Sequence, residues 1–461
     1  MKKVCVVGLG YVGLPLAALS AIKGYHVTGL DINPLTVEKI NSGFSHIRDT
    51  EVERLVKDAH LTNNLNATTS VDDISECTHY LICVPTPVDE NDDPDLNPIY
   101  SAVDAIAPFV KKNNLVVIES TVFPGTCEQE LIPRLDSLTN LKAGIDYHLA
   151  HCPERVNPGD PFWTSENIPR VIGATSKKGV DEAASFYNSI LGGGIFDIRE
   201  IKSVFNRKFS LDESGGLKVS QVPLGSVTKM HSIRDAEAVK AMENTVRDVN
   251  IAFVNELAKI SDVLGLDVID IIDGMATKPF GKGPFYPGVG VGGHCIAVDP
   301  EWLKAASKKA GYMPEMINLA RATNNGMPNY TVSILQNLLN ELELSLKGTN
   351  VLLLGVAYKK NVDDPRESPF YEVKNILESK GVNIDVYDSW IDYENTVQSF
   401  QEGLQMATAL LIITEHTDAI TELKNTDLSQ LPLKVIVDGR NCLDRELITS
   451  QGVLYSGIGR N

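Results

Sequence analysis

The stretch Pro287-Gly-Val-Gly-Val-Gly-Gly-His-Cys-Ile-Ala-Val-Asp-Pro300 sets a cysteine behind a run of glycines. Gly288, Gly290, Gly292 and Gly293 carry no Cβ, so the backbone can turn freely there and come close to a ligand. Cys295 offers a strong thiolate nucleophile wherever its surroundings lower its pKa. Asp299 follows four residues later, and if helix starts at the cysteine the carboxylate shares its face. A glycine-rich loop around an incidental buried cysteine fits the same residues. A cofactor fingerprint at the other end of the chain favours the first reading.

That fingerprint is Gly8-Leu-Gly-Tyr-Val-Gly13, directly after the β-branched run Val4–Val7. Leu14–Lys23 reads as helix, Gly24 ends it, and His26–Leu30 reads as a second strand with Asp31 at its tip. This is a βαβ unit with GxGxxG at its first turn. The turn (Gly8, Gly10, Tyr11, Val12 and Gly13) would let a pyrophosphate approach the helix N-terminus and its free N–H groups. Asp31 would accept hydrogen bonds from an adenosine ribose and repel a 2′-phosphate, which favours NAD over NADP.

The elements that must position these residues alternate. Tyr80–Val84, Leu115–Glu119 and Tyr147–His151 read as strands, with Ile99–Val110 and Thr126–Leu138 as the helices between them. Ile172–Ile198 adds strand, helix and strand, and the whole implies a doubly wound parallel sheet. Ligands in such sheets sit beyond the carboxyl ends of the strands, so Pro85, Thr86 and Thr121 are candidate cofactor contacts. Ordinary turn chemistry explains the same residues. Cys152-Pro-Glu-Arg155 closes another strand and offers Glu154 and Arg155. Lys202–Ser232 has no clear period and reads as a loop or small excursion.

From Asp235 a long helix begins, with Val239, Met242, Val246, Val249, Phe253, Leu257, Ile260 and Leu264 as one apolar stripe. Lys240, Asn244 and Arg247 form a polar row beside it, for which a solvated face is the ordinary reading. Asn244 and Asn250 are costly choices on a helix, which hints at use. Trp302–Tyr312 and Pro314–Asn340 read as further helices. After Gly348 the alternation restarts with strands Val351–Leu354, Val382–Val386, Ala409–Ile413 and Val435–Val437, and a helix at Pro369–Lys380. This half carries Gly355-Val-Ala-Tyr-Lys-Lys360 in place of GxGxxG, so it implies a second nucleotide-binding sheet with a different ligand. Lys359, Arg366 and Arg440 supply positive charge near its strand ends.

Composition bounds these readings. At 461 residues the chain is too long for one core. With 43% hydrophobic and 22% charged residues it is ordinary globular material. Its 42 basic and 60 acidic residues give a net charge of −18, which disfavours nucleic acid and anionic membranes as partners. Seven scattered cysteines without a CxxC argue against zinc or disulfides and for a reducing, cytoplasmic setting, with no metal expected. Met-Lys-Lys before an apolar run imitates a secretory signal, but Gly8, Gly10 and Gly13 interrupt it and it reads as structure. No apolar stretch reaches the length of a membrane span.

Assembled, the motifs resemble the UDP-glucose/GDP-mannose dehydrogenase family, the nucleotide-sugar 6-dehydrogenases, over nearly the whole chain. They are Val6–Gly13, Val84-Pro-Thr-Pro87, Glu119-Ser-Thr121, Cys152-Pro-Glu-Arg155, Ala236–Asn244, Gly292-Gly-His-Cys295 with Asp299, and Arg366-Glu-Ser-Pro369. The resemblance implies an α/β chain of two Rossmann-like doubly wound domains joined by a central helical domain with a long helix. Its expected divisions are an NAD-binding domain over 1–200, an atypical linker over 201–233, a central domain over 234–330 and a UDP-sugar domain over 331–461.

It also implies chemistry. A sugar C6 alcohol would lose a hydride to NAD, the aldehyde would be attacked by Cys295, and the thiohemiacetal would be oxidised again before water releases a uronic acid. Lys240 and Asn244 would stabilise oxyanion charge, Asp299 would move protons or place water, and Thr121 and Glu154 would handle water and substrate. Substrate contacts fall on Glu154, Arg155, Asn157, Lys240, Asn244, Arg247, Tyr286, Gly288 and Gly292. Lys359 and Arg440 would grip UDP, and Arg366 would touch the cofactor. The long helix would pair two copies of the chain.

The Gly-Gly-His-Cys and Cys-Pro-Glu-Arg forms, with Pro158 where the glucose branch tends to carry an acid, resemble the UDP-N-acetylhexosamine branch. The Lys278-Pro-Phe-Gly run resembles glucosamine-type enzymes and Val291–Asp299 mannosamine-type ones, with the balance tipped to UDP-N-acetylglucosamine. The alternatives are a UDP-glucose or GDP-mannose enzyme, a single-step hydroxy-acid or 6-phosphogluconate-type dehydrogenase, and an inactive nucleotide-sugar-binding protein.

Overall fold

The computed structural model describes residues 2–460 apart from 88–93, 157–161, 200–209, 212–216, 219–222, 279–283 and 294. Asn157, Pro158, Phe280, Gly281 and His294 therefore lie outside the described residues. The chain divides into two compact units, Met1–Glu243 and Asn244–Asn461.

The first unit is built on β1 (Lys3–Val7), α1 (Gly13–Ile22), β2 (His26–Leu30), α2 (Pro34–Asn41), α3 (Thr50–Thr62), β3 (Leu65–Thr68), β4 (His79–Ile82), α4 (Asn97–Ile106), β5 (Leu115–Ile118), α5 (Ile132–Thr139), β6 (His148–His151), β7 (Arg170–Ala174), α6 (Lys177–Leu191) and β8 (Ile195–Asp197). β9 (Ser210–Leu211) and β10 (Leu217–Lys218) pair antiparallel, and β11 (Val227–Lys229) returns to the main sheet. That sheet has nine strands in the order β3-β2-β1-β4-β5-β6-β7-β11-β8. β3 through β6 run parallel, β7 meets β6 antiparallel, and β11 lies parallel between β7 and β8. β4, β5 and β6 are buried along their whole length, as expected of strands covered on both faces. Helix α1 is also buried nearly all round, which its Gly-Leu-Pro-Leu-Ala-Ala-Leu sequence allows.

One sequence reading changes here. Val227–Lys229 is a strand rather than part of a loop: three residues are too few to show a period, and Val227 gains its place by pairing with Arg170 and Ile195. The stretch between Asp31 and Tyr80 also holds regular structure, α2, α3 and β3. Helix α3 is capped by Asp49, whose Oδ1 accepts from Glu51 and Val52 N–H, and buries Val52, Leu55, Val56 and Ala59 on one face.

Helix α7 (Ile233–Leu264) begins in the first unit and ends in the second. Its composition is turned outward. Ala241, Asn244, Thr245, Asp248, Ala252, Asn255, Ala258 and Ser261 are buried, while Met242, Val246, Phe253 and Ile260 of the apolar stripe are 45–55% exposed. Lys240 and Asn244 are thus interior, not solvated, whereas Arg247 is exposed. Asn250 is spent locally, its Nδ2 donating to Val246 O at 2.5 Å.

The second unit continues with α8 (Val268–Ala276), α9 (Asp299–Lys309), α10 (Glu315–Asn325), α11 (Met327–Glu341), β12 (Asn350–Leu354), α12 (Pro369–Ser379), β13 (Asn383–Tyr387), α13 (Phe400–Met406), β14 (Ala409–Ile412), α14 (Thr417–Lys424), β15 (Val435–Asp438), α15 (Arg445–Thr449) and β16 (Leu454–Gly457). The helix expected over Pro314–Asn340 is two helices meeting at Gly326, with Pro328 in the first turn of the second. The sheet is all parallel in the order β13-β12-β14-β15-β16. Val254, Ala258, Met327 and Leu335 share one apolar core with Val351, Leu353, Leu411 and Val437, so the helices and the second sheet fold together. Among the described residues no helix is long and apolar enough to cross a membrane.

Candidate active site

In the first unit the strand order reverses between β1 and β4, and the candidate cofactor residues gather beyond their carboxyl ends. A Cβ on Gly13 would sit 1.9 Å from the Gly8 carbonyl oxygen, so α1 can approach the strand end this closely only with glycine there. No side chain caps the N-terminus of α1, and its first turn carries no carboxylate to compete with an anion. Asp31 Oδ2 accepts from Leu9 N–H at 2.8 Å and Oδ1 from Asn33 N–H at 2.9 Å, which fixes the carboxylate beside the glycine turn. Asp31 is half-buried, so lone pairs can still face a diol. These residues fit NAD: the helix N-terminus would receive a pyrophosphate and Asp31 a ribose. When bound there, the cofactor supplies a hydride acceptor. Ser120 Oγ donates to Val84 O at 2.7 Å and so ties together the two strand-end turns that carry Thr86 and Thr121, both half-buried.

Glu154 rests on a charged cluster that periodicity did not reveal. Arg170 Nη1 donates to Glu119 Oε2 at 2.9 Å, and its Nη2 lies 3.6 Å from Glu154 Oε1. Tyr187 donates its hydroxyl to the other Glu119 oxygen. Burial pushes the Glu119 pKa above the usual carboxylate range, against the pull of Arg170 and Tyr187. The Glu154 carboxylate also accepts from Val156 N–H at 2.7 Å, which completes its orientation. Arg155 points elsewhere, to Glu243 by two donors and to Pro169 O at 3.1 Å. The sequence signal was a charged residue at each end of apolar runs: Arg170 heads β7 and Glu119 follows β5. Glu237, on the first turns of α7, accepts from Gly125 N–H at 2.5 Å and Cys127 N–H at 2.7 Å, joining the Lys240-bearing helix to the Thr121 turn.

In the second unit Asn244 Nδ2 donates to Asp299 Oδ2 at 2.5 Å, and both residues are buried. Helix starts at Asp299 rather than at the cysteine, because Pro300 belongs in a first helical turn. One hydrogen-bonded turn still joins the two: Cys295 O accepts from Asp299 N–H at 2.8 Å and Val298 N–H at 3.2 Å. Cys295 itself is a half-buried thiol. The loop before it lies against residues 358–369. A Cβ on Gly293 (φ +83°) would come 2.8 Å from the Tyr358 ring, and Gly293 N–H donates to Arg366 O at 3.1 Å.

The glycine arm is anchored by a buried polar chain that sequence reading missed. Gly288 N–H donates to Asn255 Oδ1 at 3.0 Å, Asn255 Nδ2 to Asn324 Oδ1 at 2.8 Å, and Asn324 Nδ2 to Asp248 Oδ1 at 2.8 Å. Arg321 Nη1 pairs with the same Asp248 oxygen at 2.8 Å. Arg440 is held where the second strand order reverses, its Nε donating to Ile413 O at 2.8 Å and its Nη2 to Tyr358 O at 3.2 Å. Lys359 sits half-buried on the turn beside it. Arg366 makes a two-pronged pair with Asp364 at 2.8 and 2.6 Å, and exposed Tyr286 donates to Asp273 Oδ1 at 2.6 Å.

Residues 2–191 match the NAD binding domain of the UDP-glucose/GDP-mannose dehydrogenase family, 234–326 its central domain and 352–445 its UDP binding domain. The chain belongs to this family. A UDP-N-acetyl-D-mannosamine dehydrogenase of Pyrococcus horikoshii is 33% identical over 458 residues, 99% of either chain. A UDP-N-acetyl-D-glucosamine 6-dehydrogenase of Pseudomonas aeruginosa is 33% identical over 398 residues, 86% of this chain and 85% of that one. The solved structure of the Pyrococcus horikoshii UDP-D-ManNAc dehydrogenase superposes with a TM-score of 0.86, covering 100% of this chain and 99% of that one at 33% identity. The Staphylococcus aureus UDP-N-acetyl-mannosamine dehydrogenase gives 0.79 at 29% identity, over 99% of this chain and 98% of its own. As a family member with the NAD binding domain, the protein is an oxidoreductase that uses NAD.

Proposed function

We propose that the chain oxidises the C6 alcohol of a UDP-N-acetylhexosamine to the uronic acid in two stages, through a thioester on Cys295. The observation that carries this is the turn joining Cys295 to Asp299, whose buried carboxylate is held by Asn244 at 2.5 Å. A nucleophile and a fixed carboxylate one turn apart suit covalent capture of an aldehyde and later hydrolysis. A single-step alcohol dehydrogenase needs no such cysteine. In this reading NAD supplies hydride acceptance for both oxidations. Cys295 Sγ adds to the aldehyde carbon as the carbonyl oxygen gains charge, which Lys240 and Asn244 offset. Asp299 takes a proton from the water that later attacks the thioester carbon, and the thiolate leaves. Thr121 and Glu154 hold water and substrate, and Lys359 and Arg440 bind the UDP diphosphate.

The Lys278-Pro-Phe-Gly run favours UDP-N-acetylglucosamine. A second reading, UDP-N-acetylmannosamine, is favoured by the end-to-end match to mannosamine dehydrogenases. The chain further pairs with a second copy through α7, whose exposed Val246, Phe253 and Ile260 call for cover. Seven free thiols suit a cytoplasmic setting.

A panel of UDP-sugars assayed for NAD reduction tests the whole. Two NADH per sugar acid are expected from one of the N-acetylhexosamines. Turnover confined to UDP-glucose or GDP-mannose, or one NADH per sugar, would reject the proposal.

A further inference from the structure

Asp388 follows β13 as Asp31 follows β2, and both carboxylates accept from the turn after the neighbouring first strand. Asp388 Oδ2 takes Val356 N–H at 2.6 Å and Ala357 N–H at 3.0 Å. Its surroundings differ from those of Asp31. Asp388 is 1% exposed, its Oδ1 takes Trp390 N–H at 2.7 Å and Ile391 N–H at 3.0 Å, and His416 Nε2 lies 3.0 Å from Oδ2. This acid is used up within the protein and has no place for a ribose.

His416 is fully buried under the Trp390 ring, with centroids 6.1 Å apart. Its Nδ1 accepts from Asn361 N–H at 2.9 Å. With Nδ1 accepting, the Nε2–H is the ring donor to Asp388. Asn361 holds φ +58°, the left-handed region that Asn adopts more readily than other side chains. Its side chain is gripped twice by Thr417, Nδ2 donating to Oγ1 at 2.8 Å and Oδ1 accepting from Thr417 N–H at 3.1 Å. The turn Val356–Asn361 is therefore clasped at its start by Asp388 and at its end by His416. Between those points lie Lys359 and the Tyr358 carbonyl that holds Arg440.

We infer that the buried Asp388–His416 pair is a positioning device for UDP, setting Lys359 and Arg440 at the spacing a diphosphate needs. The inference rests on the proposed UDP site. His416 touches no substrate; it acts through Asn361 and the turn.

Two replacements divide the roles of the ring. Gln in His416→Gln can still donate to Asp388 but places no acceptor before Asn361 N–H. Asn in His416→Asn puts an oxygen near the former Nδ1 and keeps that acceptor. Titration calorimetry of the whole enzyme with UDP should show about five- to tenfold weaker binding in His416→Gln, the loss of one buried hydrogen bond. The UDP-sugar KM should rise in parallel, with kcat and NAD affinity within about twofold, and His416→Asn should recover most of the loss. Thr417→Val, at an exposed position that folding tolerates, should weaken UDP about two- to threefold through Asn361. Unchanged UDP binding in His416→Gln or Thr417→Val would overturn the inference, as would a Gln variant that loses kcat and NAD affinity equally, or an Asn variant no better than Gln. Lys359→Ala serves as the reference: if it leaves UDP affinity unchanged, the UDP site itself is wrong and the inference falls with it.

Discussion

Asn244 gives its Nδ2 to Asp299 Oδ2 at 2.5 Å inside the protein, and neither side chain has more than a trace of solvent contact. The amide fixes which carboxylate oxygen faces the helix and holds the group in one orientation. Asp299→Asn keeps the shape but removes the base, so kcat should fall about 100-fold or more while NAD affinity is retained. Stopped-flow NADH formation and NAD titration measure the two separately. Near-normal kcat would remove Asp299 from the chemistry.

The role proposed for Asp31 is to set cofactor choice. Its carboxylate is pinned by Leu9 and Asn33 N–H, so it cannot swing away from a 2′-phosphate. The unaltered enzyme should prefer NAD to NADP, and Asp31→Ala should narrow the ratio of kcat/KM values chiefly by losing NAD. Equal kcat/KM for both cofactors in the unaltered enzyme would refute this role.

Arg170 and Glu119 form a pair with side-chain exposures of 3% and 0%. Removing one partner strands the other, and Arg170→Met should cost about 3–5 kcal/mol of stability. Arg170→Met with Glu119→Gln should recover much of that loss, because the unpaired charge is gone. Chemical denaturation of the variants reads the effect, and a strictly additive double variant would contradict it.

Asp388 links stability to acid. Burial alone would raise its pKa, but hydrogen bonds from His416 and from Ala357 and Trp390 N–H bring it down to about 2. A carboxyl whose folded pKa lies below its unfolded value of about 3.9 stabilises fully above that value and loses the contribution as pH falls toward the folded one. The stability gap between the parent and Asp388→Asn should shrink by roughly 2 kcal/mol between pH 4 and pH 2. Denaturant midpoints across that window decide it; a constant gap would mean the carboxylate charge is not what the site recognises.

Much of this architecture was legible because apolar runs and turn residues repeat at the period of the elements they form. Val4–Val7, the Gly8–Gly13 turn and Asp31 are local signals, and the strand between β4 and β6 is an uninterrupted buried run. Legibility failed where long-range pairing decides. Val227–Lys229 is a strand only because β7 and β8 flank it, and α3 mixes its apolar face with six charged residues or histidines around Glu51 and His60. The helix expected over Pro314–Asn340 breaks at Gly326, a residue tolerated inside helices elsewhere. Buried polar partners were the hardest to see: Arg170 meets Glu119, and His416 meets Asp388, across separations of 51 and 28 residues. On α7 Lys240, Asn244, Asp248 and Asn255 are buried while much of the apolar stripe is exposed, so polarity alone could not tell the inner face from the solvated one.

The nucleophile is the sharpest test of the proposed reaction. Cys295 sits half-buried on a turn whose carbonyl oxygen accepts from Asp299 N–H at 2.8 Å, so the backbone that carries the thiol is held. Cys295→Ser preserves that turn but replaces a thiolate source with a hydroxyl that stays protonated near neutrality and forms an ester slower to hydrolyse. Turnover should be lost while NAD and UDP-sugar binding persist, and intact-mass spectrometry should find an added sugar on the serine if the first oxidation still runs. Were the cysteine only packing, the same change would lower the melting temperature and spare catalysis. Two NADH per sugar at near-normal rate from Cys295→Ser would end the covalent mechanism.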